Sequence, residues 1–206
     1  MRRQLIAGGI LVAMILFIQA CGRRPEPQVS CHFVQNSQQQ RVSWKGNLPV
    51  KLYLHSSVPV RDYLAIGMAI EEWTRILGRE YFRIELTGVS GPSVPSQDGS
   101  SMIYWLHSWE AGRRNEQART TVYWTGDRIN EADVRVNAAN FSLYSGDGTE
   151  IFSGVDVTSL MVHELGHVLG LAHITEKPSV MAVSLASGSL RRVPTKVDLE
   201  ALQCEY

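Results

Sequence analysis

Segments in which hydrophobic and polar positions alternate recur along the chain and predict β-strands. Residues 48–59 form the first such segment, with one face made of Val50, Leu52 and Leu54 and the other of Lys51, Tyr53 and His55. A period of two is the pattern of a half-buried strand. Similar segments predict four more strands, at 81–88, 101–108, 119–124 and 131–139. The turn residues between the last two predict a hairpin.

Two other segments have the spacing of amphipathic helices. After Pro59, hydrophobic side chains recur at steps of three and four and end before Gly78, a suitable C-terminal stop; they are Tyr63, Ile66, Ile70, Trp73 and Leu77. A second helix is expected to begin near Val157, with Asp156 or Thr158 as its cap. Its buried side is predicted to be Val157, Leu160, Met161, Leu165, Val168 and Leu169.

The composition is that of one globular domain. The chain has 206 residues, of which 44% are hydrophobic and 19% charged, a balance that a single hydrophobic core can organise. Its 20 basic side chains equal its 20 acidic ones, which argues against a nucleic-acid partner. We expect a monomer that does not bind nucleic acid.

The N-terminus has the layout of an export signal. Two arginines precede an apolar run that ends at Ile18, and this run is shorter than the ~20 residues of a spanning helix. A transmembrane anchor is the alternative interpretation. The sequence IQAC at 18–21 resembles the lipobox of bacterial lipoproteins, which implies cleavage before Cys21 and a lipid on that cysteine. Gly22 implies onward export, so we expect a lipid-anchored protein of the bacterial outer membrane.

If Cys21 carries a lipid, two cysteines remain in the chain. Outside the cytosol an even remainder usually indicates a disulfide, which here would join Cys31 to Cys204. The competing hypothesis is that Cys31 blocks a metal ion as an inhibitory thiolate.

The segment VHELGHVLGLAH has histidines at intervals that suit one metal ion. His163 and His167 are four residues apart, so one helical turn places both imidazoles on the same face, close enough to coordinate a single zinc ion. Gly170 permits a left-handed turn that ends the helix, and His173 can then be the third ligand. Glu164 can lean toward the metal and accept a proton from water bound there.

This segment matches HExxHxxGxxH, and the chain resembles the metzincin metalloproteases over about residues 45–206. Met181, in PSVMAV, stands where those enzymes have the methionine of the Met-turn, and its short interval after the histidines is most similar to the matrixin branch. The resemblance implies an α+β fold in which a twisted mixed sheet of about five strands packs with an N-terminal helix and an active-site helix. It also implies a short C-terminal helix in VDLEALQCEY and an edge strand at 119–124 that can pair with an extended peptide.

By the same resemblance, His163, His167 and His173 are zinc ligands, Glu164 is the general base and Met181 is the hydrophobic floor of the site. We therefore expect a zinc-dependent endopeptidase that hydrolyses proteins or peptides by Glu-assisted attack of zinc-bound water. The alternatives are a zinc hydrolase of cell-wall amide crosslinks and a non-enzymatic zinc-binding lipoprotein of the envelope.

The chain also departs from the matrixin pattern. We expect no second, structural zinc, because His107 stands alone and Arg135 occupies a strand position where a histidine would be sought. Ala182 follows the Met-turn methionine, so the tyrosine that supports the metal in some metzincins is missing. Calcium at 145–150, SGDGTE, is left open beside the simpler interpretation that these residues turn the chain.

The expected domain plan has three parts. Residues 1–20 are a lipoprotein signal peptide and residues 21–44 a lipid-anchored tether, rich in Pro, Gln, Ser and Arg. Residues 45–206 form the catalytic domain. Within it, residues 182–195 are expected to wall the substrate pocket without fixing a specificity.

Overall fold

The structure is a computed structural model that describes residues 25–146, 153–176 and 178–206. The predicted signal peptide, the lipidation site Cys21 and most of the candidate calcium segment 145–150 lie outside the described residues. Within the described part, no helix has the length and apolar character needed to cross a membrane.

A five-stranded mixed sheet forms the centre of the domain, as predicted. Its strands are β1 (Val50–His55), β2 (Phe82–Val89), β3 (Ser101–Leu106), β4 (Ala118–Thr125) and β5 (Arg128–Asn137). Their order in space is β2-β1-β3-β5-β4, with neighbours parallel except for the antiparallel pair β4 and β5. The antiparallel strand β4 is therefore an edge of the sheet, in agreement with the expected hairpin.

Three α-helices pack with this sheet: α1 (Tyr63–Leu77), α2 (Val157–Val168) and α3 (Lys196–Gln203). Helix α1 ends at Gly78 in the left-handed conformation, as its sequence predicts. Trp73 of α1 is fully buried, and its indole N–H donates to the carbonyl of Val162 in α2. This hydrogen bond fixes α2 against α1 at the turn that precedes His163.

Short elements complete the described chain. A small two-stranded parallel ladder pairs β6 (Leu143–Tyr144) with β7 (Val155–Asp156), which leads directly into α2. Two 3-10 turns lie at Val60–Asp62 and Ala111–Arg113.

His55 is the buried member of the face of β1 that it shares with Lys51 and Tyr53. Its side chain is buried, and its Nε2 lies 3.1 Å from the carbonyl oxygen of Gly91, while its Nδ1 lies 2.8 Å from Ser57 Oγ. Both ring nitrogens therefore have polar partners, which offset the cost of burying the imidazole.

The segment 31–44, predicted to belong to a flexible tether, is folded onto the domain. Phe33 and Val42 are buried in the main hydrophobic core, and Phe33 forms an antiparallel bridge with Leu171. The indole N–H of Trp44 donates to the carbonyl of Val168 at the end of α2. These apolar anchors stand among polar residues, and for that reason the composition of the segment indicated a tether.

The two ends of the domain are joined covalently and by ion pairs. A disulfide connects Cys31 to Cys204, whose Cα atoms are 6.3 Å apart. Next to it, Glu205 accepts hydrogen bonds from Arg41, Ser43 and Lys45. Burial opposes ionisation of Glu205, but these three donors lower its pKa. The charged cluster and the disulfide together hold the N-terminal segment beside the C-terminus.

Loss of the disulfide is expected to lower the free energy of unfolding by about 2–5 kcal/mol, because the bond restricts the unfolded chain. The bond joins residues 173 positions apart, so the restriction is a large one. Urea unfolding of the Cys31→Ser/Cys204→Ser variant, followed by circular dichroism, measures the change. Reduced wild type should unfold at the same urea concentration as this variant. Equal midpoints for oxidised and reduced wild type would contradict the prediction.

A buried carboxyl group lies on the face of the sheet covered by the loop before β3. Asp133 of β5 is fully buried, and its Oδ1 accepts from the backbone N–H of Met102. Burial raises the pKa of Asp133 to about 7, the Met102 bond lowers it, and the charges of Glu131 and Asp98 raise it further. In the unfolded chain the same group has its ordinary pKa of 3.8.

Between these two pKa values the folded state binds more protons than the unfolded state, so Asp133 destabilises the domain as the pH rises from about 4 to about 7. We expect Asp133→Asn to raise the free energy of unfolding at pH 8 by roughly 1–3 kcal/mol and to change it little at pH 4. Urea unfolding at both pH values measures this, with the exposed Glu71→Gln as the control. An equal effect of Asp133→Asn at both pH values would exclude the proposed titration.

Candidate metal centre

Helix α2 carries the first two histidines, and its start is strongly fixed. Asp156 caps it, because its carboxylate accepts from the backbone N–H and the hydroxyl of Ser159. Arg192 donates to the same carboxylate, at 2.6 and 2.9 Å. The helix is buried along nearly its whole length. His163 and His167, one turn apart, therefore project from a rigid element.

The structure brings His163, His167 and His173 together. The Nε2 atom of His167 lies 3.1 Å from that of His163 and 3.3 Å from that of His173. One nitrogen from each ring lies within 4.8 Å of the others, and this is the only such group of possible metal ligands among the described residues. All three predicted ligands are thus within reach of one ion.

The hydrogen bonds of the rings show that these nitrogens suit a cation. The Nδ1–H of His163 donates to the carbonyl of Val180, and that of His167 donates to the carbonyl of Leu171, each at 2.7 Å. Since a carbonyl only accepts, both imidazoles carry their proton on Nδ1 and turn an Nε2 lone pair toward each other. Lone pairs at such short distances repel unless a positive charge lies between them. The donor set therefore fits zinc.

Burial favours the neutral form of the three rings, as a metal ligand requires. Burial, followed by the charge of His167, lowers the pKa of His163 to about 3. Burial also lowers the pKa of His167 and of His173. The neutral form of each ring is therefore the favoured one.

Gly170 reverses the chain and so places His173. Its φ is +101°, and a Cβ added there would lie 2.3 Å from the carbonyl oxygen of Val42. Only glycine satisfies both conditions. The next residue, Leu171, donates its N–H to Gly166 and accepts the Nδ1–H of His167 at its carbonyl. One tight turn thus orients the ring of His167 and places His173 beside it.

The loop beneath the histidines is held by a buried carboxylate of α3. Asp198 accepts hydrogen bonds from Ser179 Oγ and from the backbone N–H of Val180, the residue whose carbonyl orients His163. Met181 is completely buried, and its sulfur would lie 2.3 Å from a Cβ added to Gly166. Met181 therefore packs closely against α2 between the two histidine turns, at the position expected of a hydrophobic floor.

Glu164 lies beside the triad and is bonded to the edge strand. Its side chain is only 4% exposed, and its Oε2 accepts from the hydroxyl of Thr120 in β4 at 2.6 Å. Burial raises the pKa of Glu164 to about 7, the Thr120 bond lowers it and the charge of Glu116 raises it. A carboxyl group in this setting can exchange a proton near neutral pH.

A cleft of about 710 Å³ runs between β4 and α2 past the three histidines and Glu164. One wall belongs to the edge strand, including Thr120 and Val122. The opposite wall includes Leu160 of α2 and the segment after Met181, with Val183, Ser184, Leu185 and Arg191. This agrees with the expectation that residues 182–195 wall the pocket.

Two positions were considered for a second metal, and one of them, Arg135, is engaged in other contacts. Arg135 forms an ion pair with Glu110 at 3.1 Å, and its guanidinium lies over the ring of Trp109. His107 is exposed. The absence of a structural zinc stays a prediction. Calcium binding at 145–150 stays open.

Several residues of the site were not identified from the sequence. The capping box Thr195-x-x-Asp198 can be recognised in the sequence as the start of α3. Nothing in that motif indicates that Asp198 also supports the loop that contains Met181. Thr120 had no local signal, since its partner Glu164 is 44 positions away. Phe33 and Val42, beside Gly170, were masked by their polar neighbours.

Comparison with known proteins assigns the family. The Matrixin family model matches residues 69–206, more than half of the chain. Metalloendoproteinase 2-MMP of Arabidopsis thaliana is 36% identical over 56 residues, which are 27% of this chain and 15% of that protein. Among solved structures, metalloproteinase-II from Bacteroides fragilis is similar with a TM-score of 0.43 and 12% identity, over 80% of this chain and 54% of that one.

The chain thus spans only part of the length of each of these relatives. The family match includes both the edge strand and the three converging histidines. The resemblance seen in the sequence is therefore confirmed: the chain belongs to the matrixin family.

Proposed function

We propose that this protein is a zinc-dependent endopeptidase in which Glu164 moves the proton of the attacking water. The observation that carries the proposal is the convergence of three imidazole nitrogens beside a buried carboxyl group in an open cleft. Three protein ligands leave a coordination position open, which is typical of catalytic zinc and not of structural zinc.

His163, His167 and His173 would hold the metal, each through Nε2. When bound, zinc supplies a Lewis acid that polarises a peptide carbonyl and acidifies water. The carbonyls of Val180 and Leu171 keep the first two rings in the ligating tautomer. The protein contributes this geometry before any substrate arrives.

Glu164 is the proposed general base and acid. It takes a proton from the water that attacks the scissile carbonyl, and it returns that proton to the nitrogen of the leaving amine. Thr120 Oγ1 donates to Oε2 of Glu164, so the hydroxyl directs the carboxylate and leaves Oε1 for the water. Thr120 is accordingly a positioning residue.

The edge strand β4 is the proposed binding surface for the substrate backbone. One side of β4 pairs with β5, and the other side has no strand neighbour among the described residues. An extended peptide can hydrogen-bond to such an edge, and the cleft runs along it. Protein or peptide chains are therefore the proposed substrates.

We further propose that a lipid on Cys21 anchors the protein in the bacterial outer membrane. The support is the lipobox-like sequence at 18–21. Gln28 is hydrogen-bonded to Gln35, Gln39 and Arg41 of the domain. The linker from Cys21 to Gln28 therefore has seven steps, which at 3.3–3.6 Å per residue reach about 24 Å. The cleft would then work close to the membrane surface.

Removal of the Glu164 carboxylate is expected to lower kcat/KM on unfolded casein by about 10²–10⁴-fold, because the water loses its base. Glu164→Ala and Glu164→Gln should both keep one zinc per chain, measured by inductively coupled plasma mass spectrometry. His167→Ala is the matched control and should lose both zinc and activity. Thr120→Val should retain zinc and lose less activity than either Glu164 variant.

Casein cleavage by zinc-loaded Glu164→Ala at the wild-type rate would exclude Glu164 as the base. Activity of the wild type on purified cell wall, with none on casein, would instead favour hydrolysis of cell-wall amide crosslinks. Zinc in the wild type with activity on neither substrate would favour the non-enzymatic alternative.

A further inference from the structure

Two adjacent arginines beside the cleft have different partners. Arg192 is neutralised by Asp156, which its guanidinium contacts at 2.6 and 2.9 Å. Arg191 donates instead to two backbone carbonyls, those of Ser184 at 2.9 Å and Ala182 at 3.0 Å. Among the residues that the structure describes, no carboxylate lies within ion-pair distance of Arg191.

Arg191 lies close to the catalytic elements. Its backbone N–H donates to Ser159 Oγ at 2.8 Å, and Ser159 is four residues, about one helical turn, before His163. Its side chain lines the cleft together with Leu160 and Leu185. The same cleft contains His163, His167 and His173. The guanidinium therefore borders the space in which a substrate would bind at the triad.

The guanidinium of Arg191 is partly withdrawn from water. Burial lowers the pKa of Arg191, and the charge of Asp198 opposes this effect without outweighing it. Its Nε is buried and has no hydrogen-bond partner among the described residues. Carbonyl dipoles compensate a buried cation less completely than a carboxylate does. The buried Nε is closed to a ligand, but Nη1 and Nη2 each donate only one of their two N–H groups to a carbonyl. A partly desolvated cation with such further donors favours an anionic ligand group.

We propose that Arg191 makes this cleft select peptides with an acidic side chain next to the cleaved bond. The inference rests on the proposed endopeptidase function and names its substrate class. Leu160 and Leu185 are buried aliphatic walls that suit the methylene groups of a glutamate. The carboxylate of that glutamate then meets the guanidinium of Arg191.

A second cleft arginine provides a matched comparison. Arg119 of β4 also lines the cleft, but it is paired with Glu116 at 2.5 Å and with Glu110 at 3.2 Å. Its charge is therefore already balanced. Arg119→Gln tests whether removing any cation from the cleft alters specificity.

The experiment begins with the full-length zinc-loaded protein in detergent and a proteome-derived peptide library. Mass spectrometry identifies the cleavage sites and shows which position beside the cleaved bond is enriched in Glu or Asp. That position is then varied in synthetic peptides. Four peptides that differ only there, with Glu, Gln, Leu or Lys, give kcat/KM for the wild type and the variants.

The wild type is expected to favour Glu over Gln by about tenfold or more, as for other hydrogen bonds to charged groups. Arg191→Gln should reduce this ratio to near one, Arg191→Lys should retain most of it, and Arg191→Glu should favour the Lys peptide. Arg119→Gln should leave the ratio unchanged. Binding of the Glu and Gln peptides to Glu164→Ala, measured by calorimetry, should show the same preference without cleavage.

A wild type that cleaves the library without acidic enrichment would overturn the inference and leave the proposed function standing. Arg191 variants that lose activity on all four peptides equally would show that Arg191 only ties the loop at Ala182 and Ser184. No cleavage of any library peptide, together with no peptide binding to Glu164→Ala, would overturn both proposals.

Discussion

The reversal of the chain at Gly170 is the constraint on which the metal centre depends. Its φ of +101° and the carbonyl oxygen of Val42, 2.3 Å from where a Cβ would stand, leave no room for another residue. The turn ends α2 after His167, aims the carbonyl of Leu171 at the ring of His167, and returns the chain so that His173 faces the same point. A helix that continued past Gly170 would separate the third histidine from the other two.

The rest of the fold holds this turn at the end of α2 and on its N-terminal side. The carbonyls at the end of α2 would lack partners inside the helix, and they accept instead from the Trp44 indole and the Tyr206 hydroxyl. On the N-terminal side, the backbone of Val34 donates to the Gly170 carbonyl and the carbonyl of His32 accepts from Ala172. The disulfide from Cys31 to Cys204 ties these two supports together, so the domain's two ends meet behind the site.

Local patterns in the sequence predicted much of this arrangement because they are set by short-range physics. The period of two in β1, the stripe of α1 and the four-residue spacing of His163 and His167 each follow from element geometry. Interactions between distant segments have no such pattern. The bond from Thr120 to Glu164, the support of Val180 by Asp198 and the missing counter-ion of Arg191 appear only in three dimensions. The folding of segment 31–44 onto the domain was not predicted, because its three buried apolar residues, Phe33, Val42 and Trp44, stand among polar ones.

The central claim is that three imidazoles hold one zinc ion beside Glu164. X-ray absorption spectroscopy at the zinc edge of the purified protein, combined with metal analysis, tests it most directly. We predict one zinc per chain, with nitrogen ligands at about 2.0–2.1 Å. The spectrum should show scattering from three imidazole rings and no sulfur among the atoms bound to zinc. A zinc site containing a cysteine sulfur, or a folded protein that binds no stoichiometric zinc, would contradict the account.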